Sequence, residues 1–284
     1  MEIDKKTGRP VGRLLSLKDI QNLSLSILLD IHNFCIKHNL RYSLAYGTLI
    51  GAIRHKGFIP WDDDVDIVMP RKDFEIFCSK YKSDKGFKIL SPSSPKSLIT
   101  FGRVFDSETT RCETTAPWST FETGVWIDIF PLDGVEDNDT DFNIRLKKIS
   151  PTAKKLAMIR TSSEGFWKTK TIRRKCTWII KKILTLGKNI ESLKTEYLNN
   201  IQSYDFESSN YYGQLGCYDE GTHKEHNPKD DFSHCVEVDF EGHRLLAMNG
   251  YDNILHRYYG DYMQLPPVEQ QIPKAANYIK FYWK

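Results

Sequence analysis

Four carboxylates crowd into five residues of this chain, directly before an apolar run that alternates like a β-strand. These residues are Asp62, Asp63, Asp64 and Asp66. Residues i and i+2 of a strand share a face, so the pattern predicts that Asp64 and Asp66 point the same way. Val65 and Ile67 would then point into the core. Like charges at this density repel each other, and two hard oxygen ligands on a rigid strand suit Mg²⁺ or Mn²⁺.

Two other interpretations of the acidic run need to be weighed. An acidic turn before a strand is a common solvated feature, and the acidic run alone does not exclude this interpretation. A calcium-binding loop starting at Asp62 would need glycine at its sixth position and glutamate at its twelfth. The chain has Ile67 and Asp73 there, so we reject the calcium loop.

The residues before the acidic run predict a strand, a tight turn and a short helix. The segment Tyr42–Tyr46 alternates like a strand, and Gly47 and Thr48 follow it. The apolar stretch that ends at Arg54 is expected to be helical, with Thr48 near its N-cap. Free amides at the start of such a helix favour a phosphate group.

The longer string from Tyr46 to Ile67 resembles the core motif of the LicD family, which includes bacterial phosphocholine transferases and is related to fukutin and fukutin-related protein. Two later blocks, Trp126–Gly134 and Tyr251–Pro267, resemble it as well. The resemblance implies an α/β fold of the α+β kind. The expected architecture is a nucleotidyltransferase-like mixed sheet with flanking helices and a largely helical C-terminal region.

The resemblance also implies a reaction. LicD-type enzymes transfer a phospho-alcohol, phosphocholine or a polyol phosphate, from a CDP-linked donor to a hydroxyl of a cell-surface glycan precursor, and CMP is released. The reaction is expected to depend on Mg²⁺, with Mn²⁺ as a substitute. One alternative is a nucleotidyltransferase of the same fold that attacks the α-phosphate of a nucleoside triphosphate. Another is a non-catalytic scaffold at a membrane surface.

Three aspartates are the expected catalytic and metal-binding residues. Asp64 and Asp66 would hold the metal against the donor diphosphate. Asp128 lies in an apolar strand, where a carboxylate is costly unless it binds a metal or a partner. It is expected to be the third ligand or the base for the acceptor hydroxyl. A structural, paired aspartate is the alternative interpretation of Asp128.

The expected substrate-binding residues are Gly47, Thr48, Arg54, Trp61, Asp62 and Asp133. Arg54 could clamp a phosphate, and a surface arginine is the alternative. Asp62 could bind the metal directly, or it could contact the residues that bind the metal. Asp133 follows a proline and a leucine and could equally be a turn residue.

The net charge of +3 hides a strong asymmetry. Residues 145–188 hold 14 basic residues and one acidic residue, a net charge of +13, whereas the rest of the chain has 26 basic and 36 acidic residues, a net charge of −10. An apolar stripe at helical spacing runs through the basic segment, which resembles an interfacial helix on anionic lipid. A core-packed helix with a solvated basic face is the alternative. No nucleic-acid motif accompanies the charge, so we expect no nucleic-acid partner.

Local signals predict several elements of the first half. Ser16 and Asp19 form a capping-box pattern before a long amphipathic helix, which Asn39 would end. Pro70 and Asp73 predict the start of another helix. Further strands are expected at 87–90, 98–105 and 124–130.

Length and composition are those of a globular enzyme. A chain of 284 residues, 40% of them hydrophobic, can bury a substantial core. We expect an extension over 1–16, a catalytic core over 17–140 and a helical, basic region over 141–284 that completes the site. The six cysteines are never closer than 18 positions, which predicts reduced, mainly buried thiols. Without a signal peptide or an apolar span, the expected location is the cytoplasm, at the inner face of the membrane.

Overall fold

The computed structural model describes residues 12–95, 97–114, 122–160, 189–217, 222–273 and 279–284, together with Cys176, Ile179 and Ile183. Within these ranges a mixed β-sheet carries helices, and two separate antiparallel strand pairs accompany it. The α/β class predicted from the sequence is confirmed.

The described helices alternate with strands in the first half of the chain. They are α1 (Leu17–His38), α2 (Tyr46–Ile50), α3 (Arg71–Lys80), α4 (Asp139–Arg160), α5 (Ile190–Ile201) and α6 (Tyr251–Tyr259). A π-helical turn over Gly51–His55 continues α2.

The described strands are β1 (Ser43–Leu44), β2 (Asp66–Pro70), β3 (Lys88–Leu90), β4 (Gly102–Phe105), β5 (Thr110–Thr114), β6 (Trp126–Val135), β7 (Tyr211–Gln214), β8 (Asn227–Pro228), β9 (Cys235–Phe240), β10 (His243–Met248) and β11 (Ile279–Trp283). The main sheet has the order β1-β2-β6-β4-β3, and β7 extends it from β6 to β8. β9 pairs with β10, and β5 pairs with β11.

β6 is the organising strand of the sheet because it pairs with three others. Its middle runs parallel to β2, its start is antiparallel to β4, and its end is antiparallel to β7. Both central strands are mostly buried, as their apolar sequences predict for a sheet covered on two faces. They form the rigid base on which the predicted aspartates sit.

The predicted boundaries of α1 are confirmed. Ser16 and Asp19 form a reciprocal capping box, in which the Ser16 hydroxyl accepts from the Asp19 amide. Asn39 ends the helix in the left-handed conformation, with φ of 52°. α3 begins directly after Pro70, as predicted, and Phe74 and Phe77 of its inner face are buried.

Two expectations about strands need correction. The strand that was expected from Asp64 begins at Asp66, so Asp64 lies in the loop before it. Nevertheless, Val65 and Ile67 are buried as predicted. The C-terminal half also contains more strand than its sequence indicated, because β7 is stabilised by pairing with β6, far earlier in the chain, and local periodicity does not reveal such a partner.

The main hydrophobic core combines residues from both halves of the chain, from Leu15 to Trp283. A second, smaller core lies where α4, α5 and the end of β6 meet. The proposed division at residue 140 therefore stays a prediction. None of the described helices is both long and apolar enough to cross a bilayer.

Most of the basic segment lies outside the described residues, including Trp167, Trp178 and its four flanking basic residues Arg173, Arg174, Lys181 and Lys182. Cys176, Ile179 and Ile183 of its apolar stripe are helical and exposed, the two isoleucines by 43% and 64%. Cys35 is buried, four cysteines are partly buried and Cys176 is exposed, which agrees with the prediction of mainly buried thiols.

Candidate active site

The two strands at the centre of the sheet place Asp66 and Asp128 side by side. Asp66 of β2 is the register partner of Asp128 of β6 in the parallel ladder, and the Asp128 amide donates to the Val65 carbonyl at 3.0 Å. Register partners on adjacent strands point to the same face of a sheet. Neither carboxylate is fully buried. The two aspartates that sequence analysis selected on separate strands therefore share one site.

Asp128 also has a buried ionic partner. Arg103 of β4 donates to both of its carboxylate oxygens, from Nε at 2.6 Å and from Nη2 at 2.9 Å. The arginine side chain is 1% exposed, and its guanidinium lies 3.9 Å from the centre of the Trp126 ring. The alternative interpretation of Asp128 as a paired aspartate thus has a basis in the structure. A carboxylate has about four acceptor positions, so this pairing leaves capacity for a second role.

The loop before β2 brings three more carboxylates together. One carboxylate oxygen from each of Asp62, Asp63 and Asp64 lies within 4.8 Å of the others. Burial raises the pKa of Asp66 well above its ordinary value, and the nearby charges of Asp64 and Asp128 raise it further. The site therefore concentrates several carboxylates in a small volume.

These residues fit a hard divalent cation. The donors are carboxylate oxygens, which Mg²⁺ and Mn²⁺ prefer. Burial, and then the neighbouring charges of Asp64 and Asp128, raise the pKa of Asp66, and a bound cation would favour its charged form. Asp64 is exposed at the mouth of the site and Asp66 lies behind it, so the predicted pair is accessible from one side.

The helix before the acidic loop differs from its prediction. Ala45, not Thr48, is the N-cap of α2, and the turn uses a left-handed conformation at Tyr46, with φ of 49°. Thr48 lies inside α2, where its buried hydroxyl accepts from the Asp66 amide at 2.9 Å. Thr48 thereby fixes the helix to the start of β2. Its predicted contact with phosphate stays a prediction.

Gly47 is required by a close approach to the acidic loop. A Cβ atom at Gly47 would lie 2.7 Å from Oδ2 of Asp62, which is closer than such contacts allow. The glycine thus lets the Asp62 carboxylate lie against the first turn of α2. Trp61, beside Asp62, lines the same cleft.

Arg54 connects the site to the C-terminal part of the chain. Its Nη1 donates to the carbonyl of Tyr262 at 2.6 Å and to that of Gln264 at 3.2 Å, and burial lowers its pKa. The alternative of an ordinary surface arginine is therefore wrong, because Arg54 holds a neighbouring loop. Whether it also clamps a phosphate stays a prediction.

Asp133 lies in β6, five positions after Asp128. It is a buried residue inside β6, so the turn interpretation is wrong, and Arg71 donates to its two oxygens at 2.7 and 2.6 Å. Burial raises its pKa, while Arg71 opposes that shift. This pair links α3 to β6, and the predicted contact with substrate stays a prediction.

A cleft of about 640 Å³ opens over the acidic loop. Its walls include Arg54, Trp61 and the segment from Asp261 to Pro267. A second cavity of about 350 Å³ adjoins it and shares Tyr46, Asp66 and Tyr259 with it. The walls of this cavity are lined by Tyr46, Phe130, Gln214, Cys217, Thr222, Lys224, Glu225, Tyr258 and Tyr259.

Sequence analysis missed Arg103 and the residues around the second cavity. Arg103 could have been found, because it is a single charge inserted into an apolar strand, the same signal that selected Asp128. Glu225 lies in a polar loop with no such signal. Its place in the cavity results from the β7–β8 pairing, which only the folded chain reveals.

One family model and two proteins that match this chain are as follows. The profile of the LicD/FKTN/FKRP nucleotidyltransferase domain matches residues 39–154. The lipopolysaccharide cholinephosphotransferase LicD of Haemophilus influenzae is 34% identical over 265 residues, which cover 91% of this chain and 96% of that protein. An uncharacterised protein of Rickettsia prowazekii is 45% identical over 47 residues, which cover 16% of this chain and 18% of that protein.

Proposed function

Because this chain belongs to the LicD/FKTN/FKRP family, we propose that it is a transferase that moves phosphocholine from CDP-choline to a hydroxyl of a lipopolysaccharide-type surface glycan. CMP is the second product. The observation that carries the proposal is the in-register pair of Asp66 and Asp128 beneath a cleft. The similarity to the Haemophilus protein over nearly the whole chain supports the choice of phosphocholine.

Mg²⁺ is the proposed cofactor, held by Asp64 and Asp66 with Asp128 as third ligand, and Mn²⁺ would substitute. When bound, the ion would supply positive charge against the donor diphosphate. The all-oxygen donor set and the raised pKa of Asp66 support this assignment. Arg103 would keep the Asp128 carboxylate oriented toward the site.

The reaction mainly requires that the protein positions the reactants and neutralises the charge of the phosphates. The acceptor oxygen bonds to the phosphorus that carries choline, and the bond from that phosphorus to the bridging oxygen breaks. CMP leaves with the electron pair of that bond. The hydroxyl proton passes to the Asp128 carboxylate. The cleft over the acidic loop offers room for both the donor and the acceptor sugar.

The proposed location is the inner face of a membrane, where a lipid-linked acceptor would be available. Residues 145–188 would bind anionic lipid, and the exposure of Ile179 and Ile183 supports a stripe that is not packed in the core. The concentration of positive charge in that segment adds electrostatic attraction.

The direct test incubates the purified chain with Mg²⁺, CDP-choline and a lipopolysaccharide acceptor, and quantifies both CMP and choline on the glycan. The proposal expects the two products in equal amounts, and loss of both when Mg²⁺ is removed with EDTA. Omitting the acceptor should abolish choline incorporation and slow CMP release strongly.

The same assay contains the outcome that would replace the proposal. Pyrophosphate released from a nucleoside triphosphate, without CMP from CDP-choline, would identify a nucleotidyltransferase. A preference for CDP-glycerol or CDP-ribitol would keep the reaction class and change the transferred group.

A further inference from the structure

The second cavity, beside Asp66, is lined by aromatic rings. Tyr46 comes from α2, Phe130 from β6, and Tyr258 and Tyr259 from α6. Its volume of about 350 Å³ is within the range of small-ligand sites. Three separate segments of the chain thus contribute rings to one opening that shares Asp66 with the catalytic cleft.

The rings line this opening at differing angles, and Phe130 also belongs to the main hydrophobic core. The Tyr46 and Tyr258 rings are stacked with centres 6.0 Å apart and planes at 15°, and Phe130 stands edge-on to Tyr46 at 6.0 Å and 78°. Tyr259 meets Tyr258 at 69° and is 47% exposed. Their differing orientations form a concave aromatic surface.

A carboxylate lies at the wall of the same cavity. Glu225 is 7% exposed, and it accepts from the Tyr46 hydroxyl at 3.0 Å and from the Gln214 amide at 2.9 Å. Burial, followed by the charge of Glu225, raises the pKa of Tyr46 well above its ordinary value, so the Tyr46 hydroxyl stays protonated and continues to donate.

The left-handed conformation of Tyr46 supports a functional role for this arrangement. A bulky residue rarely adopts positive φ, and such strain persists where the surrounding contacts fix it. Here the hydrogen bond to Glu225 and the stacking on Tyr258 hold the ring in place. The backbone strain is therefore tied to the cavity wall.

Resting on the proposed function, we propose that this aromatic cavity is the subsite for the quaternary ammonium group of the donor. A trimethylammonium group has no N–H to donate, so it is recognised by ring faces and a nearby negative charge. A polyol would instead need several hydrogen-bonding partners. The adjacent position of Asp66 puts the phosphate that carries choline within reach of the catalytic aspartates.

Lys224 is the cation on the cavity wall. Its side chain is exposed, and its ammonium donates to the Tyr258 carbonyl at 2.8 Å. This bond holds the positive charge at the backbone of α6. In the proposed site Lys224 is available to the donor phosphates, and Glu225 faces the choline end.

The test measures binding by calorimetry without acceptor, so it does not depend on turnover. CDP-choline, CDP-glycerol and CMP are titrated into the wild-type protein with Mg²⁺. We expect CDP-choline to bind more tightly than CDP-glycerol by roughly 2- to 30-fold. Tyr259→Leu should remove most of this preference and leave CMP binding unchanged, whereas Tyr259→Phe, which keeps the ring, should retain the preference.

Two further variants make the test specific. Glu225→Gln removes the charge at similar size and should also reduce the preference. Tyr204→Leu changes a tyrosine of similar exposure, 43%, that does not line the cavity, so it should not alter the preference. Thermal unfolding of each variant confirms that it is folded.

Two outcomes would overturn the inference. Equal binding of CDP-choline and CDP-glycerol by the wild type would remove the ammonium subsite. Weaker CMP binding by Tyr259→Leu would show that the ring stacks on the cytosine base. Failure of the proposed function would look different, because the wild type would then keep its preference for CDP-choline but transfer no choline to any acceptor.

Discussion

At the scale of single residues, two aspartates that share a register have opposite electrostatic surroundings. Asp66 is crowded by other carboxylates, whereas Asp128 is paired with the buried Arg103. Removing the charge of Asp66 should therefore leave stability equal or raise it, whereas removing the charge of Asp128 should lower it. Both changes should reduce activity, because both carboxylates face the same site.

Asp66→Asn should lower turnover on the order of 10³-fold or more, because a ligand of the proposed metal is lost. Its melting temperature should stay equal or rise, since repulsion among the carboxylates is relieved. The control is Asp239→Asn, an exposed aspartate of β9 paired with Arg244, which should keep wild-type turnover. Retention of more than about a tenth of the wild-type rate would remove Asp66 from the metal site.

Asp128→Asn should lower turnover by roughly 10²-fold or more and also destabilise the fold. The buried Arg103 would lose its carboxylate partner, at a cost of up to about 3–5 kcal/mol. Urea unfolding measures the stability, and Mg²⁺ titration separates the two proposed roles. Weaker Mg²⁺ binding by the variant would indicate that Asp128 is a ligand. Unchanged Mg²⁺ binding with reduced turnover would indicate that it is a base. Normal turnover would leave Asp128 with a structural role alone.

The stability of the metal-free protein should depend on the protonation of Asp66. Its folded-state pKa is raised, so the folded protein keeps a proton that the unfolded chain, with a pKa of about 3.9, has lost. This contribution is fully present below the unfolded pKa and is lost as pH rises through the folded pKa. In EDTA the melting temperature should fall over that window, and Asp66→Asn should lack this part of the fall. Identical pH profiles for the two proteins would contradict the prediction.

At the scale of elements, the site depends on how α2 is attached to β2. The Thr48 hydroxyl accepts a hydrogen bond from the Asp66 amide. The absence of a side chain at Gly47 lets the Asp62 carboxylate lie against the helix. Since α2 has only five residues, its position is set by these contacts and not by its own helical stability. Thr48 therefore holds the backbone of Asp66, and Gly47 leaves room for the Asp62 carboxylate.

Thr48→Val should destabilise the protein by about 1–3 kcal/mol and reduce turnover, because the Asp66 amide loses its acceptor while the side-chain shape is kept. Thr48→Ser keeps the hydroxyl and is the matched control, with a much smaller effect on both quantities. Denaturant unfolding and steady-state kinetics measure the two effects. Equal behaviour of the valine and serine variants would show that the hydrogen bond does not hold the strand.

At the scale of the whole molecule, positive charge is segregated from the catalytic aspartates. The net charge of +13 on residues 145–188 contrasts with −10 on the rest of the chain. Basic residues near an anionic surface contribute about 1 kcal/mol each, within a Debye length of roughly 10 Å at 0.1 M salt. Such a distribution would orient the protein on a membrane while the acidic site stays accessible.

Binding to phosphatidylglycerol vesicles should require low salt and should decrease when Arg173, Arg174, Lys181 and Lys182 are replaced by glutamine. The activity of this variant on a lipid-linked acceptor should fall together with its vesicle binding, and its activity on a short soluble acceptor should be kept. The control replaces four exposed lysines of the first half, Lys18, Lys37, Lys80 and Lys82, which changes the charge equally. Wild-type protein that stays in the supernatant at low salt would end the membrane proposal.

The sequence by itself determined the features that depend on neighbouring residues. The capping box at Ser16 and the left-handed stop at Asn39 set the ends of α1, because both signals act within one helical turn. The apolar alternation after Asp64 and the apolar run around Asp128 predicted the central strands β2 and β6 for the same local reason. The motif string was sufficient to indicate the family.

Only the tertiary structure decided which distant residues meet. The register of β6 with β2 and β4 brings Asp128 to Asp66 and to Arg103, and strand pairing between distant segments leaves no local pattern in the sequence. In the same way, β7 and α6 bring Glu225 and Tyr258 to Tyr46, which builds the aromatic cavity from residues that are far apart in the chain. Local periodicity reports the buried face of an element, and only the packed fold reports its neighbours.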